Sequence, residues 1–400
     1  MQLRYNYRIY PSPEQKVLLG KTFGCTRYVY NWGLALRSTA WLSKVRVGYT
    51  ETSAELTKLK TKPELEWLNE VSSVPLQQAL RHLQTAFVNF FAKRSAYPTF
   101  KKKGGHQSAE FTKAAFKFNP DTRAFSLAKM GSLKVKWSRK LPSDPSSVTI
   151  SKNPAGQYFA SFVVEVHDIK LAQTGITVGV DFGIARLATL STGERIANPK
   201  YGAKYEKRLA RQQRQLARKQ KGSKRRERAK LKVAKIHQKI SDSRKDAINK
   251  FTTDLIRRFD VIYIEDLNLR GMVKNHNLAR SLNDAAIGMA TQQLEYKATR
   301  YGRTVQKIDR WFPSSKLCSN PKCGHLLSSL SLSVREWDCP KCGAHHDRDE
   351  NAACNIQAVG QTVSAHGSGV RTKRTTVRSA NLSRSANLQR DNTPAGILVL

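Results

Sequence analysis

Two closely spaced pairs of cysteines constrain the fold of this chain more than any other feature of its sequence. Four residues separate Cys318 from Cys323, two separate Cys339 from Cys342, and fifteen lie between the pairs. Each pair stands in a turn-forming segment, and two such knuckles converge four thiolates on one tetrahedral Zn²⁺. Because all four ligand positions are filled, the spacing predicts a closed, structural zinc site. The alternative is two disulfides, which an intracellular location disfavours.

The charge is the second constraint. Lys and Arg number 70 against 30 Asp and Glu, a formal net charge of +40. Nucleic acid is the predicted partner, because neutralising many phosphates at once releases counterions; binding to a membrane surface is the alternative. The sequence has no run of about 20 apolar residues that would span a membrane. Its N-terminus lacks the apolar core of a signal peptide, so we expect a cytoplasmic protein.

The first 170 residues combine strands with a helical segment. Residues 3–9 alternate apolar and polar side chains, which predicts a strand, and residues 12–15 form the capping box of a helix start. Helical periodicity continues to about residue 93. Short β segments at residues 116–166 then predict a small barrel or sandwich, which the first strand could join across the helical insertion.

Residues 201–240 carry a net charge of +14. The segment lacks Pro and keeps regularly spaced apolar residues, which predicts two helices broken at Gly222. We favour a helix pair that follows phosphates over a solvated or disordered segment. The candidate nucleic-acid contacts here are Lys207, Arg211, Arg214, Arg218 and Arg225.

Three carboxylates stand at the ends of predicted elements. Asp181 and Glu265 each end an apolar strand, and Asp349 opens a helix. Acids at one edge of a sheet can converge with an acid on a packed helix and hold two Mg²⁺ or Mn²⁺ ions ~3.5–4 Å apart. Such a pair activates water and stabilises the leaving oxygen of a phosphodiester. Taken singly, each acid could be only a helix cap or a solvated strand end.

The sequence resembles the TnpB (OrfB) family, RNA-guided nucleases of bacterial insertion sequences that are related to type V CRISPR effectors. The resemblance covers nearly the whole chain. Its most specific motifs occur in order around the cysteine pairs. The matching segments are residues 28–31, 97–101, 179–183 (Gly-Val-Asp-Phe-Gly), 264–267 (Ile-Glu-Asp-Leu), 313–318 (Pro-Ser-Ser-Lys-Leu-Cys) and 347–353 (Asp-Arg-Asp-Glu-Asn-Ala-Ala).

The resemblance implies a multidomain α+β architecture. An RNase H-like (RuvC) α/β nuclease core would carry a zinc-knuckle insertion, and an N-terminal wedge β-barrel would carry an inserted helical recognition lobe. The expected division is 1–10 and 106–170 for the wedge β-barrel, 11–105 for the helical recognition lobe, 171–312 for the nuclease core with basic helices at 201–240, 313–346 for the zinc-binding insertion, 347–360 for the third acidic motif, and 361–400 for a disordered basic tail.

The resemblance also implies an activity and its residues. The protein would use a transposon-derived guide RNA to open matching double-stranded DNA beside a short target-adjacent motif, and cut it with two Mg²⁺ or Mn²⁺ ions. Asp181, Glu265 and Asp349 match the family's catalytic acids, with Asp347 as the second choice for the last. Positions that read the adjacent motif match Tyr49, Ser53, Gln77 and Thr112; ordinary capping and surface polarity are the alternative for these four.

Three further expectations and two competing functions complete the sequence-based account. We expect a monomer, without a membrane partner, located in the cytoplasm and associated with the bacterial nucleoid. One alternative is an RNA-guided DNA-binding repressor that does not cut. The other is a transposase that acts directly on transposon ends.

Overall fold

The computed structural model describes residues 1–365 of the 400, and the side chains of residues 1–363. Most of the predicted basic tail, including both copies of its Arg-Ser-Ala-Asn-Leu repeat, therefore lies outside the described residues. Within the described range, no helix combines the length and the apolar character that crossing a bilayer requires.

The first strand and helix follow the predicted pattern. Strand β1 spans Gln2–Ile9, and helix α1 spans Pro13–Leu42. Ser12 and Gln15 exchange hydrogen bonds of 3.2 and 3.0 Å, which confirms the predicted capping box. This box satisfies backbone N–H groups that the first helical turn leaves without partners. Two more helices and a 3-10 helix follow: α2 (Tyr49–Leu59), the 3-10 helix (Pro63–Glu70) and α3 (Ser73–Phe91).

The apolar stripe of α3 packs against α1. Leu76, Leu80 and Leu83 are at most 1% exposed. Gly33 of α1 permits the close approach, because a Cβ there would lie 2.7 Å from Leu80 Cδ2. Burying each large aliphatic side chain contributes about 1.5–3 kcal/mol. The helical segment therefore has an apolar core of its own.

Seven short strands and β1 form the N-terminal β region. The strands are β2 (Gln107–Thr112), β3 (Phe116–Phe118), β4 (Phe125–Leu127), β5 (Gly131–Ser132), β6 (Val135–Lys136), β7 (Ser147–Lys152) and β8 (Tyr158–Glu165). They pair in the orders β2-β7-β8-β1-β6 and β3-β4-β5. β1 pairs with β8 across the helical insertion, which confirms that part of the prediction.

The two sheets share one apolar core and one connecting segment. Within residues 131–136, β5 pairs with β4 and β6 pairs with β1, so the chain passes from one sheet into the other here. Phe111, Phe125 and Phe162 are buried between the sheets. No ladder joins β2 to β3 within residues 1–365, so the two sheets are joined through residues 131–136 and their shared core.

The second five-stranded sheet is mixed and has the order β11-β10-β9-β12-β13. Its first three strands form antiparallel hairpins, and β12 lies parallel to both of its neighbours. The predicted apolar strand that ends at Glu265 is confirmed as β12, and it is buried between two parallel neighbours. The strands are β9 (Thr177–Phe182), β10 (Arg186–Leu190), β11 (Arg195–Ala197), β12 (Val261–Glu265) and β13 (Thr304–Ile308).

The basic segment forms two helices, as predicted. Helix α4 spans Tyr201–Ala217 and α5 spans Lys224–Arg258, with Gly222 at a φ of 84° between them. α5 continues well beyond residue 240, where the basic segment was expected to end, because its apolar side chains keep their helical spacing up to the sheet. Three further helices precede β13: α6 (Leu269–Met272), α7 (His276–Ala285) and α8 (Ile287–Tyr301).

The cysteine segment folds as a small β unit that leads into the last helix. Strands β14 (Glu336–Asp338) and β15 (His345–Asp347) pair antiparallel, and α9 spans Arg348–Ala365. Helical structure therefore extends five residues into the tail that was expected to be disordered from residue 361. No Pro or Gly interrupts residues 361–365, so the helix meets no breaker there.

Candidate functional site

The two strand-borne acids lie side by side in the second sheet. Asp181 belongs to β9, and Glu265 is the last residue of β12. These strands are parallel neighbours in which Ile264 pairs with Val180, so the next residue along each strand is an acid. The register therefore places the two carboxylates at the same level of the sheet, as the sequence-based argument predicted.

Helix α9 brings the third acid to this edge of the sheet. A Cβ on Gly179 of β9 would lie 2.1 Å from the carbonyl oxygen of Ala353, so only glycine permits the close contact between strand and helix. Gln357 donates 3.1 Å to the carbonyl oxygen of Thr177 and fixes the helix along the strand. Asp349 lies one turn before Ala353, on the segment of α9 that approaches Asp181.

The pKa of Asp181 responds to both of the other acids. Burial raises its pKa well above the ordinary value, and the negative charges of Glu265 and Asp349 raise it further. The nearby Arg348 opposes this only in part. Like charges gathered in a desolvated place disfavour ionisation unless a cation joins them. The arrangement therefore suits a multivalent cation.

Asp347 has a different role from its neighbour. Its carboxylate accepts hydrogen bonds of 3.0 and 3.1 Å from the backbone N–H groups of Asp349 and Glu350, and so caps α9. Arg186 and Arg195 lie 3.3 and 3.0 Å from it. Burial alone would raise the pKa of Asp347, but these donors lower it. Because its oxygens are engaged in this way, Asp349 is the better candidate for the third acid.

Arginines also surround Asp349. Arg186 and Arg335 lie 3.8 and 3.6 Å from its two carboxylate oxygens. Both side chains are well exposed, so each pair contributes little to stability. Arg186 also donates 3.3 Å to Asp347, so its guanidinium contacts both acids.

Glu265 is held by a serine that the sequence argument did not single out. Ser314 donates 2.6 Å to Glu265 Oε1, and it is 6% exposed. Its carbonyl oxygen accepts from the amides of Asn351 and Asn355 on α9. The loop before Cys318 is thus clamped between the second acid and the helix of the third. The signal was present as the Pro-Ser-Ser-Lys-Leu-Cys motif, but only the fold shows which group its serine contacts.

The four predicted cysteines converge at one place. Their sulfur atoms all lie within 4.8 Å of one another. The Cys318–Cys342 and Cys323–Cys339 sulfur pairs are 3.7 and 3.6 Å apart, and all four thiols are free. Because a disulfide needs about 2.05 Å, these distances exclude the disulfide alternative for this structure. Four thiolates at this separation can hold one tetrahedral cation.

One histidine also contacts the cluster. His346 Nε2 lies 3.1 Å from Cys318 Sγ, and its ring packs against Trp337 with centroids 4.6 Å apart. Burial lowers the pKa of His346, which favours the neutral ring. The structure thus places His346 beside one of the four cysteines.

Four of the five predicted phosphate contacts share one exposed face of α4, because steps of four, three and four residues separate them along the helix. The fifth, Arg225, is exposed in the first turn of α5. None of the five forms an ion pair with a carboxylate in the described part of the chain. The residues are Lys207, Arg211, Arg214, Arg218 and Arg225.

The candidate DNA-reading residues lie on adjacent elements. Tyr49 and Ser53 are one turn apart on α2, and Gln77 is exposed on α3. Arg81, one turn after Gln77, lies 4.7 Å from the Tyr49 ring centroid. Thr112 ends β2, which packs against α3. The fold thus places all four on connected elements, without giving them a common contact.

Three family models match parts of the chain. Residues 161–276 match a family model described as "Probable transposase". Residues 288–356 match one described as "Cas12f1-like, TNB domain", and residues 1–44 match a "Helix-turn-helix domain". The C-terminal match, residues 288–356, contains the cysteine cluster and the start of α9.

Full-length relatives are also similar. A Streptomyces pristinaespiralis protein named "Putative RNA-guided DNA endonuclease" is 48% identical over 96% of this chain and 96% of its own length. An Escherichia coli K12 protein named "Putative RNA-guided DNA endonuclease InsQ" is 30% identical over 92% of this chain and 95% of its own. A solved structure titled as a Cas12f1–sgRNA–target DNA complex aligns with a TM-score of 0.55 at 14% identity, over 89% of this chain and 98% of that one. This last likeness concerns the fold alone.

Proposed function

Because the chain belongs to the TnpB (OrfB) family, we propose that it is an RNA-guided DNA endonuclease whose three converging acids hold two Mg²⁺ or Mn²⁺ ions for phosphodiester hydrolysis. The observations that support this proposal are the register that sets Asp181 beside Glu265 and the close packing of α9 on Gly179, which carries Asp349 toward the same edge. The strand order β11-β10-β9-β12-β13 supports an RNase H-like (RuvC) core. In this sheet β9, β10 and β11 pair antiparallel, and β12 and β13 continue it in parallel.

The donor set fits hard divalent cations. Carboxylate oxygens are the ligands that Mg²⁺ and Mn²⁺ prefer. When bound, the ions would supply an activated water and stabilise the leaving oxygen. Asp181, Glu265 and Asp349 would hold them. Ser314 would keep Glu265 oriented, and Asp347 would fix the first turn of α9 through its two capping hydrogen bonds.

The cysteine cluster fits one structural Zn²⁺. Although burial opposes ionisation of Cys339, backbone N–H groups of Cys342 and Lys341 lower its pKa to about 7. Such donors stabilise a thiolate, the form that binds zinc. The expected domain division, with the zinc unit inserted between the second and third acids, remains part of the proposal.

Guide RNA and double-stranded target DNA are the proposed partners. Base pairing with the guide would supply sequence discrimination, so the protein needs mainly phosphate contacts and a short motif readout. The exposed basic face of α4 suits the phosphates. Tyr49, Ser53, Gln77 and Thr112 are the proposed readers of the adjacent motif.

The following experiment tests the proposed function. The protein is incubated with its cognate guide RNA, Mg²⁺ and a plasmid that carries the matching target beside a library of adjacent sequences. We expect linear plasmid only when guide and target match. Guided binding without cutting would favour the repressor, and cutting by RNase-treated protein assembled without guide would favour the transposase.

Replacing Ser314 by Ala removes the hydrogen bond to Glu265 and is predicted to weaken Mg²⁺ binding. Loss of a group that orients a metal ligand costs about 10–100-fold in metal affinity or activity. The measurement is the Mg²⁺ concentration at half-maximal cleavage, which should rise by about tenfold in S314A and stay near the wild-type value in S314T. An unchanged Mg²⁺ requirement in S314A would remove the positioning role of Ser314.

Replacing Arg211, Arg214 and Arg218 by Gln is predicted to reduce the salt dependence of RNA binding. Each phosphate contact contributes about 0.7–0.9 to the slope of log affinity against log salt, so the slope should fall by about two to three. Lys58→Gln is the control, because its ammonium already pairs with Glu55 at 2.8 Å. Equal slopes in wild type and the triple variant would remove α4 from the RNA-binding surface.

A further inference from the structure

A large aromatic cavity opens on the helical segment, away from the acids and the cysteines. Its volume is about 860 Å³, and it lies between the C-terminal ends of α1 and α3 and the segment after each of them. This size lies within the range of about 300–1,000 Å³ that ligand pockets occupy. Its aromatic lining consists of Trp41, Phe87, Phe90, Phe91 and Tyr97.

Four of these rings form a connected wall, and Trp41 lines the same cavity; the four are Phe87, Phe90, Phe91 and Tyr97. Phe90 lies 5.2 Å from both Phe91 and Tyr97, measured between ring centroids, and Phe87 lies 5.6 Å from Tyr97. The Tyr97 hydroxyl is fixed 2.8 Å from Ser38 Oγ. The wall is therefore ordered by its own contacts before any ligand arrives.

Much of this wall is nevertheless exposed. Trp41 is 67% exposed, Phe91 63% and Tyr97 45%. Exposed apolar side chains are ordinary when scattered, but a contiguous group of large rings around one cavity marks an interaction site. Phe100, 58% exposed, continues the apolar surface into the basic turn of residues 101–103.

Two arginines give the cavity a positive charge. The guanidinium of Arg37 lies 4.1 Å from the Phe87 ring centroid and donates 2.8 Å to the amide oxygen of Gln84. Neither Arg37 nor Arg46 pairs with a carboxylate in the part of the chain that the structure describes. Glu51 interacts electrostatically with Arg37 but forms no ion pair with it. Its carboxylate instead accepts a hydrogen bond from the backbone N–H of Gly48 at the start of α2. The cavity thus offers aromatic faces and cationic planes together.

This combination selects one class of occupant. Unpaired nucleobases stack on aromatic rings and on guanidinium planes, while their phosphates are attracted to the surrounding cations. A second copy of this chain is disfavoured, because each copy has a formal net charge of +40. The rings are exposed in the protein alone, and a partner that stays bound would cover them in the complex. The guide RNA is such a partner.

We infer that this cavity holds unpaired nucleotides of the guide RNA by stacking, an inference that rests on the proposed RNA-guided function. The contact differs from the phosphate-following role of α4, because it involves the bases and needs an unpaired segment. It adds a second kind of RNA recognition on the helical segment.

The test uses the full-length protein and guide RNA substituted with 4-thiouridine in its unpaired segments. After irradiation, we expect RNA adducts on peptides that contain residues 41–47 and 87–97. Trp41→Ala combined with Phe91→Ala should weaken guide RNA binding by about tenfold for each stacked base lost, without changing the salt slope. The matched control, Trp41→Phe with Phe91→Tyr, should bind as wild type does.

Three outcomes would overturn the inference. The first is guide RNA affinity that is unchanged in the double-Ala variant, with no adducts on these peptides. The second is adducts formed only with thiothymidine-labelled target DNA, which would assign the cavity to DNA. The third is a wild-type dimer that the double-Ala variant converts to a monomer in sedimentation, which would assign it to a second copy. Because wild-type cleavage is measured separately, failure here is distinguishable from failure of the proposed function.

Discussion

Asp181→Asn abolishes guided DNA cleavage in our account and leaves guided DNA binding intact. The substitution keeps the shape of the side chain but removes a negative ligand from the proposed metal site. Loss of such a ligand forfeits several kcal/mol of transition-state stabilisation, so cleavage should fall by about a thousandfold or more. Binding should persist, because it depends on base pairing and on phosphate contacts rather than on this carboxylate.

The same variant makes a prediction about stability. In the metal-free protein the carboxyl of Asp181 faces Glu265 and Asp349, and its pKa is raised. A neutral amide removes that repulsion, so D181N should unfold at the same temperature as wild type or a higher one when Mg²⁺ is absent. Asp168→Asn, on an exposed residue, is the control for both measurements. Cleavage by D181N at the wild-type rate, or loss of guided binding, would contradict the assignment.

Removal of zinc is predicted to unfold the cysteine unit while the second sheet stays folded. The buried core of this unit is little more than Cys318, Trp337 and Cys339, too small to hold the segment without a metal. Zinc binding in such units is worth on the order of 10 kcal/mol. In Cys339→Ser, or after chelation, hydrogen exchange should therefore become fast in residues 313–347 and remain slow in β9 and β12.

Zinc loss should also reduce cleavage, because the loop before Cys318 places Ser314 on Glu265. Cys354→Ala is the matched control, since that cysteine lies outside the cluster. Metal analysis should give one zinc per chain in wild type and in C354A, and none in C339S. A full zinc content in C339S, or unchanged exchange in residues 313–347, would contradict the structural zinc site.

Sequence reasoning was most informative for features that local rules determine within a single helix, turn or strand. The capping box at Ser12, the break at Gly222 and the buried strand that ends at Glu265 follow from helix-end chemistry, glycine conformation and apolar periodicity. These features need no knowledge of distant contacts. That Asp181 lies beside Glu265 depends in addition on the pairing of β9 with β12, which no local rule gives.

Features that depend on returning loops could not be predicted. The hydrogen bond of Ser314 to Glu265 joins residues 49 positions apart, and nothing local indicates it. The capping role of Asp347 depends on the arginines of β10 and β11 that reach it. The junction of the two N-terminal sheets at residues 131–136 is likewise a property of packing rather than of pattern.

The most direct test of the central claim is anomalous diffraction from crystals of the protein–guide RNA–DNA complex grown with Mn²⁺. The account predicts two peaks about 3.5–4 Å apart among the carboxylates of Asp181, Glu265 and Asp349. It also predicts that both peaks weaken or vanish in D349N. A complex that cuts DNA with Mn²⁺ but shows its manganese elsewhere, with none between these three side chains, would contradict the account.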